Sequence, residues 1–141
     1  MSFSSIYRVS GSAMTAQTIR LNTIASNLAN AESPAASEGA VYKARRPVFS
    51  AIYQSSELMA NRASAGASVQ VTDVVETGGA VQRYEPGHPM ANQKGYVYYP
   101  DISVVEEMAD MMSASRSFET NVEVLNNVKS MQQSLLKLGE G

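Results

Sequence analysis

The chain contains no cysteine and only one histidine, His88, in 141 residues. That excludes cysteine nucleophiles, disulfide staples and zinc sites of the usual Cys/His type together. The redox compartment leaves no mark either. An excess of one charge is also missing: 11 Lys and Arg against 13 Asp and Glu give a net charge of -2. This offers no basic footprint for the phosphate backbone that dominates nucleic-acid affinity, so nucleic acid is not an expected partner. No run approaches the ~18 apolar residues of a membrane span, so direct membrane insertion is not expected. The opening "MSFSSIYRVSGSAM" has no charged segment leading into an apolar core with a cleavage site. Any route out of the cytoplasm is expected to run without the common signal.

What is present is periodicity. Phe3, Tyr7, Ser10, Met14, Gln17, Leu21, Ile24, Leu28 and Ala31 fall at alternating spacings of four and three. This is a coiled-coil seam weakened at Ser10 and Gln17. Gly11 and its β-branched neighbours lower helix propensity, so the segment needs a partner helix. A second seam follows Pro100, with Asp101 and Ser103 as cap candidates: Val104, Met108, Met111, Ser115, Phe118, Val122 and Leu125. After a slip of one residue it resumes through Val124, Val128, Met131, Leu135 and Leu138 and ends at Gly139. A straight helix of period ~3.6 produces such a slip against a strict heptad, so one continuous helix is expected.

Residues 34–99 change character. "VYKARRPVFSAIY", "ASVQVTDVVE", "GAVQRYE" and "GYVYYP" are β-branched or aromatic stretches of strand length separated by Gly, Pro, Ser and Asn. They predict short strands in a small antiparallel sheet. "AASEGA" and "ANRASAGAS" read as loops. The fold class expected is therefore α+β, with long N- and C-terminal helices (1–33 and 100–141) pairing as a coiled coil around a small β-rich insert (34–99).

The residues that could carry chemistry are few. His88 stands between Gly87 and Pro89, with Pro86 just before, and lacks the further ligands or acid partner that metal or triad chemistry requires. A rigid turn is the expected reading. Glu106, Glu107 and Asp110 fall in the first turns of the second helix, where the helix dipole favours acids. Arg45 and Arg46 face either an acidic neighbour across an interface or solvent at a strand end. Met108, Met111 and Met112 with Phe118 form a soft apolar stripe, more in keeping with a partner surface than with a cofactor box. Catalytic, cofactor and metal sites are accordingly all expected to be absent. In "NTIASNLANAES", Asn30 suits a helix end, but Asn27 is followed by the seam residue Leu28. An amide beside small Ala25, Ser26 and Ala29 suits a packed site bonding the backbone of a neighbouring subunit.

Two stretches resemble a known family. "IASNLANAES" (24–33) is similar to the amino-terminal signature shared by flagellar rod and hook proteins. "YEPGHPMANQKGYVYYPDISVVEEMADMMSASRSFETNVEVLNNVKSM" (84–131) resembles the carboxy-terminal region of proximal-rod proteins, and "VYKARRPVF" is similar to the segment after the signature. On these residues the chain is identified as a member of the bacterial flagellar basal-body rod protein family. Residues 55–80 match weakly. A hook or distal-rod protein should carry a longer insert and lack "EPGHPMA". A cytoplasmic coiled-coil adaptor, of a different class, needs no such signature.

The resemblance implies a non-catalytic subunit of the proximal rod, a hollow helical drive shaft that transmits torque from rotor to hook. It implies export by the flagellar type III system without a cleaved signal peptide, and residence in the basal body across the periplasm. Implied partners are copies of itself, other proximal-rod proteins, the rotor-end adaptor and distal-rod proteins. The rod-capping muramidase and the export apparatus join them during assembly. Arg116 and Asn121, in the matching carboxy-terminal stretch, join Asn27, Leu28, Asn30, Arg45, Pro86–Pro89, Met108, Met111 and Phe118 as expected interface residues.

Overall fold

The structure is a computed structural model and describes residues 3–54 and 66–139. Most of the "ANRASAGAS" loop lies outside the described residues. Helix α1 spans Phe3–Asn30, followed by a short 3₁₀ turn at Glu38–Ala40. Strands β1 (Ala44–Gln54), β2 (Gly66–Thr77), β3 (Ala80–Tyr84) and β4 (Tyr96–Pro100) come next, and helix α2 spans Val104–Gly139. At ~1.5 Å per residue the helices are about 42 and 54 Å long.

Local chemistry explains the boundaries. Asn30 is the last helical residue of α1 and donates its side-chain amide to the Ser26 carbonyl at 2.8 Å. That is a bond back along the last turn to residue i−4, of the kind short polar side chains make within helices. The helix stops three residues short of the expected 33, and the Ser33 N–H turns back to the Asn30 carbonyl. At the start of α2, Ser103 Oγ accepts from the Glu106 N–H, and Glu106 and Glu107 occupy the first turn. The slip in the second seam leaves α2 unbroken.

All four expected strands form, but as two two-stranded antiparallel ribbons, β1–β2 and β3–β4, and not one sheet. Gly78 lies between β2 and β3 with φ +92°. It lets the chain turn out of the first ribbon before the second begins. Ala35 adds a bridge beside Tyr98, exchanging both backbone hydrogen bonds with it. The "AASEGA" loop is thus pinned to β4 at its first residue.

The two helices lie side by side and antiparallel. Tyr7 donates to Gln132, Arg20 pairs with Asp110, and Asn27 donates to Glu107. Residues early in α1 therefore meet residues late in α2. The β1–β2 ribbon packs along α1, with Ser12 Oγ accepting from the Val69 N–H at 3.1 Å. Small residues dominate the core: Ala16, Ala31, Ala35, Ala44 and Ala114, with Val41, Val97, Val128 and Ile24.

On α2 the buried positions are Glu107, Ala114 and Val128, a line of heptad spacing with half-buried Asn121 between. This corrects the expected seam in part: Val128 belongs to it, and its Met111, Ser115, Phe118, Val122 and Leu125 are half-buried. Val104, Met108, Val124, Met131, Leu135 and Leu138 point outward, because the partner face is filled by smaller and polar groups.

Candidate functional site

Where α1, β1 and α2 converge, one amide organises a polar corner. Asn27 is 1% exposed. Its Nδ2 donates to the Arg45 carbonyl and to Glu107 Oε2, both at 3.0 Å. Its Oδ1 accepts from the Arg45 N–H at 2.8 Å and from the Tyr42 hydroxyl at 3.1 Å. A side-chain amide has two donor hydrogens and two acceptor lone pairs, and all four are taken. The amide was expected to bond backbone across subunits. It bonds the backbone of its own chain instead, and no position remains for a neighbour.

Around it the charges alternate. Arg46 reaches Glu107 Oε1 and Asp110 Oδ2, each at 3.3 Å, and Arg20 meets Asp110 Oδ1 at 3.0 Å. Glu107 is 2% exposed, so more than the helix dipole holds it. A buried carboxylate persists only when paired and hydrogen-bonded. Of the two arginines left open by the sequence, Arg46 finds acids within its own chain. Arg45 stacks 5.8 Å over the Tyr42 ring and lies 3.9 Å from Glu76.

Burial, opposed by the Arg45 charge and helped by Glu107, pushes the Tyr42 hydroxyl above its ordinary 10.0. A group whose pKa is raised by folding contributes fully below its unfolded value and loses that contribution as pH rises through the folded one. The Tyr42–Asn27 bond should therefore hold at neutral pH and fail above about pH 10. Tyr42→Phe is expected to cost about 1 kcal/mol at pH 7 and to flatten the alkaline arm of the stability profile, as read by denaturant titrations across pH.

The other expected interface residues fall into two groups. Met108, Met111, Arg116, Phe118 and Asn121 share α2, with Met108 55% exposed, Arg116 also exposed and the rest half-buried. Asn121 bonds the Ser117 carbonyl of its own helix. Met112, 60% exposed, lines a shallow groove with Ala109, Ser113 and Arg116. Leu28 is half-buried beside the corner.

Pro86, Gly87, His88 and Pro89 lie in the β3–β4 connection, whose hydrogen bonds close on itself. His88 donates its N–H to the Glu85 carbonyl and accepts from the Met90 N–H at Nδ1. Asn92 Oδ1 accepts from Lys94 and Tyr96. At Gly95, φ is +80° and a Cβ would come within 2.9 Å of the Tyr84 ring. Only glycine fits there without strain.

Sequence reasoning missed Glu107, Arg46, Asp110, Arg20 and Tyr42 as parts of one cluster. Arg20 stands one heptad before Asn27, and Glu107 and Asp110 stand three apart on one helix face, so the pairing had a signal in the spacing. Among the described residues no group of acids and histidine could hold a metal, and no helix is long and apolar enough to cross a membrane.

A small-residue core, large apolar side chains turned outward along a long helix, and a corner whose charges satisfy one another together define a structural subunit. Comparison with known proteins gives the particular family. A model described as "Flagella basal body rod protein" matches residues 8–34, and one described as "Flagellar basal body rod FlgEFG protein C-terminal" matches 93–138. The flagellar basal-body rod protein FlgC of Escherichia coli O6:H1 is 46% identical over 141 residues, 99% of this chain and 100% of that relative. FlgC of Salmonella typhimurium is 43% identical over the same shares. FlgC of Borreliella burgdorferi is 33% identical over 152 residues, 99% of this chain and 98% of its own. The chain belongs to the FlgC family of flagellar basal-body rod proteins, which are structural and not enzymes.

Proposed function

We propose that this chain is a proximal-rod subunit whose α1–α2 pair forms a coiled coil in the inner tube of a hollow shaft. On this reading residues 1–33 and 100–141 build the tube, and 34–99 form an outer part touching adjacent subunits and carrying torque from rotor to hook. The observation that supports it best is the outward apolar stripe of α2, which in a lone chain faces water and in a tube of copies meets neighbours.

Contacts between like subunits in such a shaft are heterologous and propagate as a helix. Expected neighbours are further copies, other rod proteins and the rotor-end adaptor, with the export apparatus and capping muramidase engaged during assembly. A core made largely of alanine and valine holds the free helices weakly, which suits passage through a narrow channel before ordering on incorporation. Within this reading Met108, Met111, Arg116, Phe118, Asn121 and the loop at Pro86–Pro89 are assembly contacts, and Asn27 and Arg45 act by fixing the angle between tube and outer part.

Deleting the gene should remove rod and hook and abolish swimming, and expressing the chain should restore them. Protease should trim the purified monomer from both helices while sparing the middle. Full motility in the deletion strain would overturn the rod reading. Slow amide exchange throughout both helices of the monomer would overturn ordering on assembly.

A further inference from the structure

The β1–β2 ribbon has two outer edges, and α1 treats them unequally. Arg45 exchanges both of its backbone hydrogen bonds with the Asn27 amide, so its N–H and carbonyl face away from β2. Alternation along the strand gives Pro47, Phe49, Ala51 and Tyr53 the same outward aim. Two residues of β2 agree with that parity. Val69, opposite Ala51, donates outward to Ser12, and Val74, opposite Pro47, donates to Asp73 Oδ1.

Helix α1 thus crosses the ribbon obliquely. At the base of β1 the Asn27 amide stands in for a strand, and next to it Pro47 has no N–H to offer. Toward the tip of β2, Ser12 does the same for Val69. Of the four quarters of the ribbon's outline, one on each edge stays open: β1 from Phe49 to Tyr53, and β2 from Val74 to Thr77.

The two quarters differ in how they are guarded. Natural edges are blunted by charge, proline or a covering element. On β2 the Val74 N–H is occupied by the adjacent Asp73, a contact an incoming carbonyl can replace. On β1 no charged residue lies between Pro47 and Tyr53, and Phe49, Ile52 and Tyr53 are exposed. Among the described residues no backbone hydrogen bond from outside the ribbon reaches Phe49, Ala51 or Tyr53.

We propose that these open quarters join between copies: the Phe49–Tyr53 edge of one subunit takes the Val74–Thr77 edge of the next as an added antiparallel strand. The partner is a second copy because every copy carries one edge of each kind at opposite ends of the ribbon. Adding β2 antiparallel onto a β1 edge leaves both ribbons pointing the same way, displaced by about six residues or ~20 Å. Same-direction copies joined through unlike edges make a heterologous contact that propagates without closing. The inference deepens the rod-subunit reading and rests on it.

The absence of cysteine makes the test clean. In cells lacking the gene, a chain carrying Ser50→Cys and Val75→Cys should build rods, and oxidation of isolated basal bodies should yield a ladder of dimers and higher species that neither single substitution gives. Rods that form without the ladder overturn the proposal.

Ala51→Pro removes an N–H that faces outward, so the ladder within the chain is spared. It should cut rod number at least tenfold while the circular dichroism of the purified subunit is unchanged. Normal rods with that variant overturn the proposal equally. If even the unsubstituted chain fails to restore rods, the rod reading fails by itself. Cross-linking of the concentrated double-cysteine subunit in solution then decides strand addition, for or against.

Discussion

Replacing Asn27 with leucine is expected to detach α1 from the ribbon. The substitution removes four hydrogen bonds at a site only 1% exposed, and it strands the Arg45 N–H and one oxygen of Glu107 without partners. At about 1 kcal/mol net for each of the four bonds, the loss should reach roughly 4 kcal/mol, and the stranded groups add to it. Leucine keeps the branch and the heavy-atom count but is bulkier than the planar amide, so overpacking adds to the loss of polarity. Folding should weaken by that amount in denaturant titrations, amide exchange at the Asn27 end of α1 should accelerate by about a thousandfold or more, and rods should fail to form. Leu28→Ala, at a half-buried neighbour with no polar role, should cost markedly less. An Asn27→Leu chain as stable as the parent would mean that the corner does not hold the helix.

The second large effect has the opposite signature. Met108→Lys with Met112→Lys places two charges on a face that is already exposed in the subunit, so stability should change by no more than about 0.5 kcal/mol per site. In a tube, however, the same positions meet neighbours, where an unpaired charge is costly to desolvate. Rod assembly should therefore fail by at least a hundredfold, scored by basal-body counts and swimming, while the purified subunit keeps its melting temperature. Placing glutamines at the same two sites should give an intermediate defect. Swimming cells carrying both lysines would show that this stripe faces no partner.

Those two expectations separate what periodicity reveals from what it hides. The helices, their caps at Ser103 and Asn30, and the strands near 44–54, 66–77, 80–84 and 96–100 follow from spacing, β-branched content and turn residues, which act locally. The face that α2 turns inward does not. Seam templates reward large apolar residues, and here several of those residues point outward while Ala114, Asn121 and Glu107 join Val128 in the inward line.

A helix whose large apolar residues face outward breaks the usual link between apolar and buried, and a seam template applied to it inherits the error. Asn27 was legible as something other than a cap because Leu28 follows it. Its partner, the backbone of Arg45, was not, because the pairing spans 18 residues and depends on how the ribbon docks. The split into two ribbons falls at Gly78, whose φ no composition argument supplies.

The antiparallel helix pair also sets how the subunit responds to mechanical load. Both helical ends nearest the termini sit at the same end of the pair, tied there by Tyr7 and Gln132, while Arg20, Asp110, Asn27 and Glu107 cluster toward the other. Tension on either terminus peels the helices apart one contact at a time, weakest first, and reaches the charged corner last. A twisting load between the helices and the ribbon instead shears the whole row together. On the proposed reading as an exported rod subunit, the same contacts would yield to a pull on one terminus more readily than to twist, without any change in its bonds.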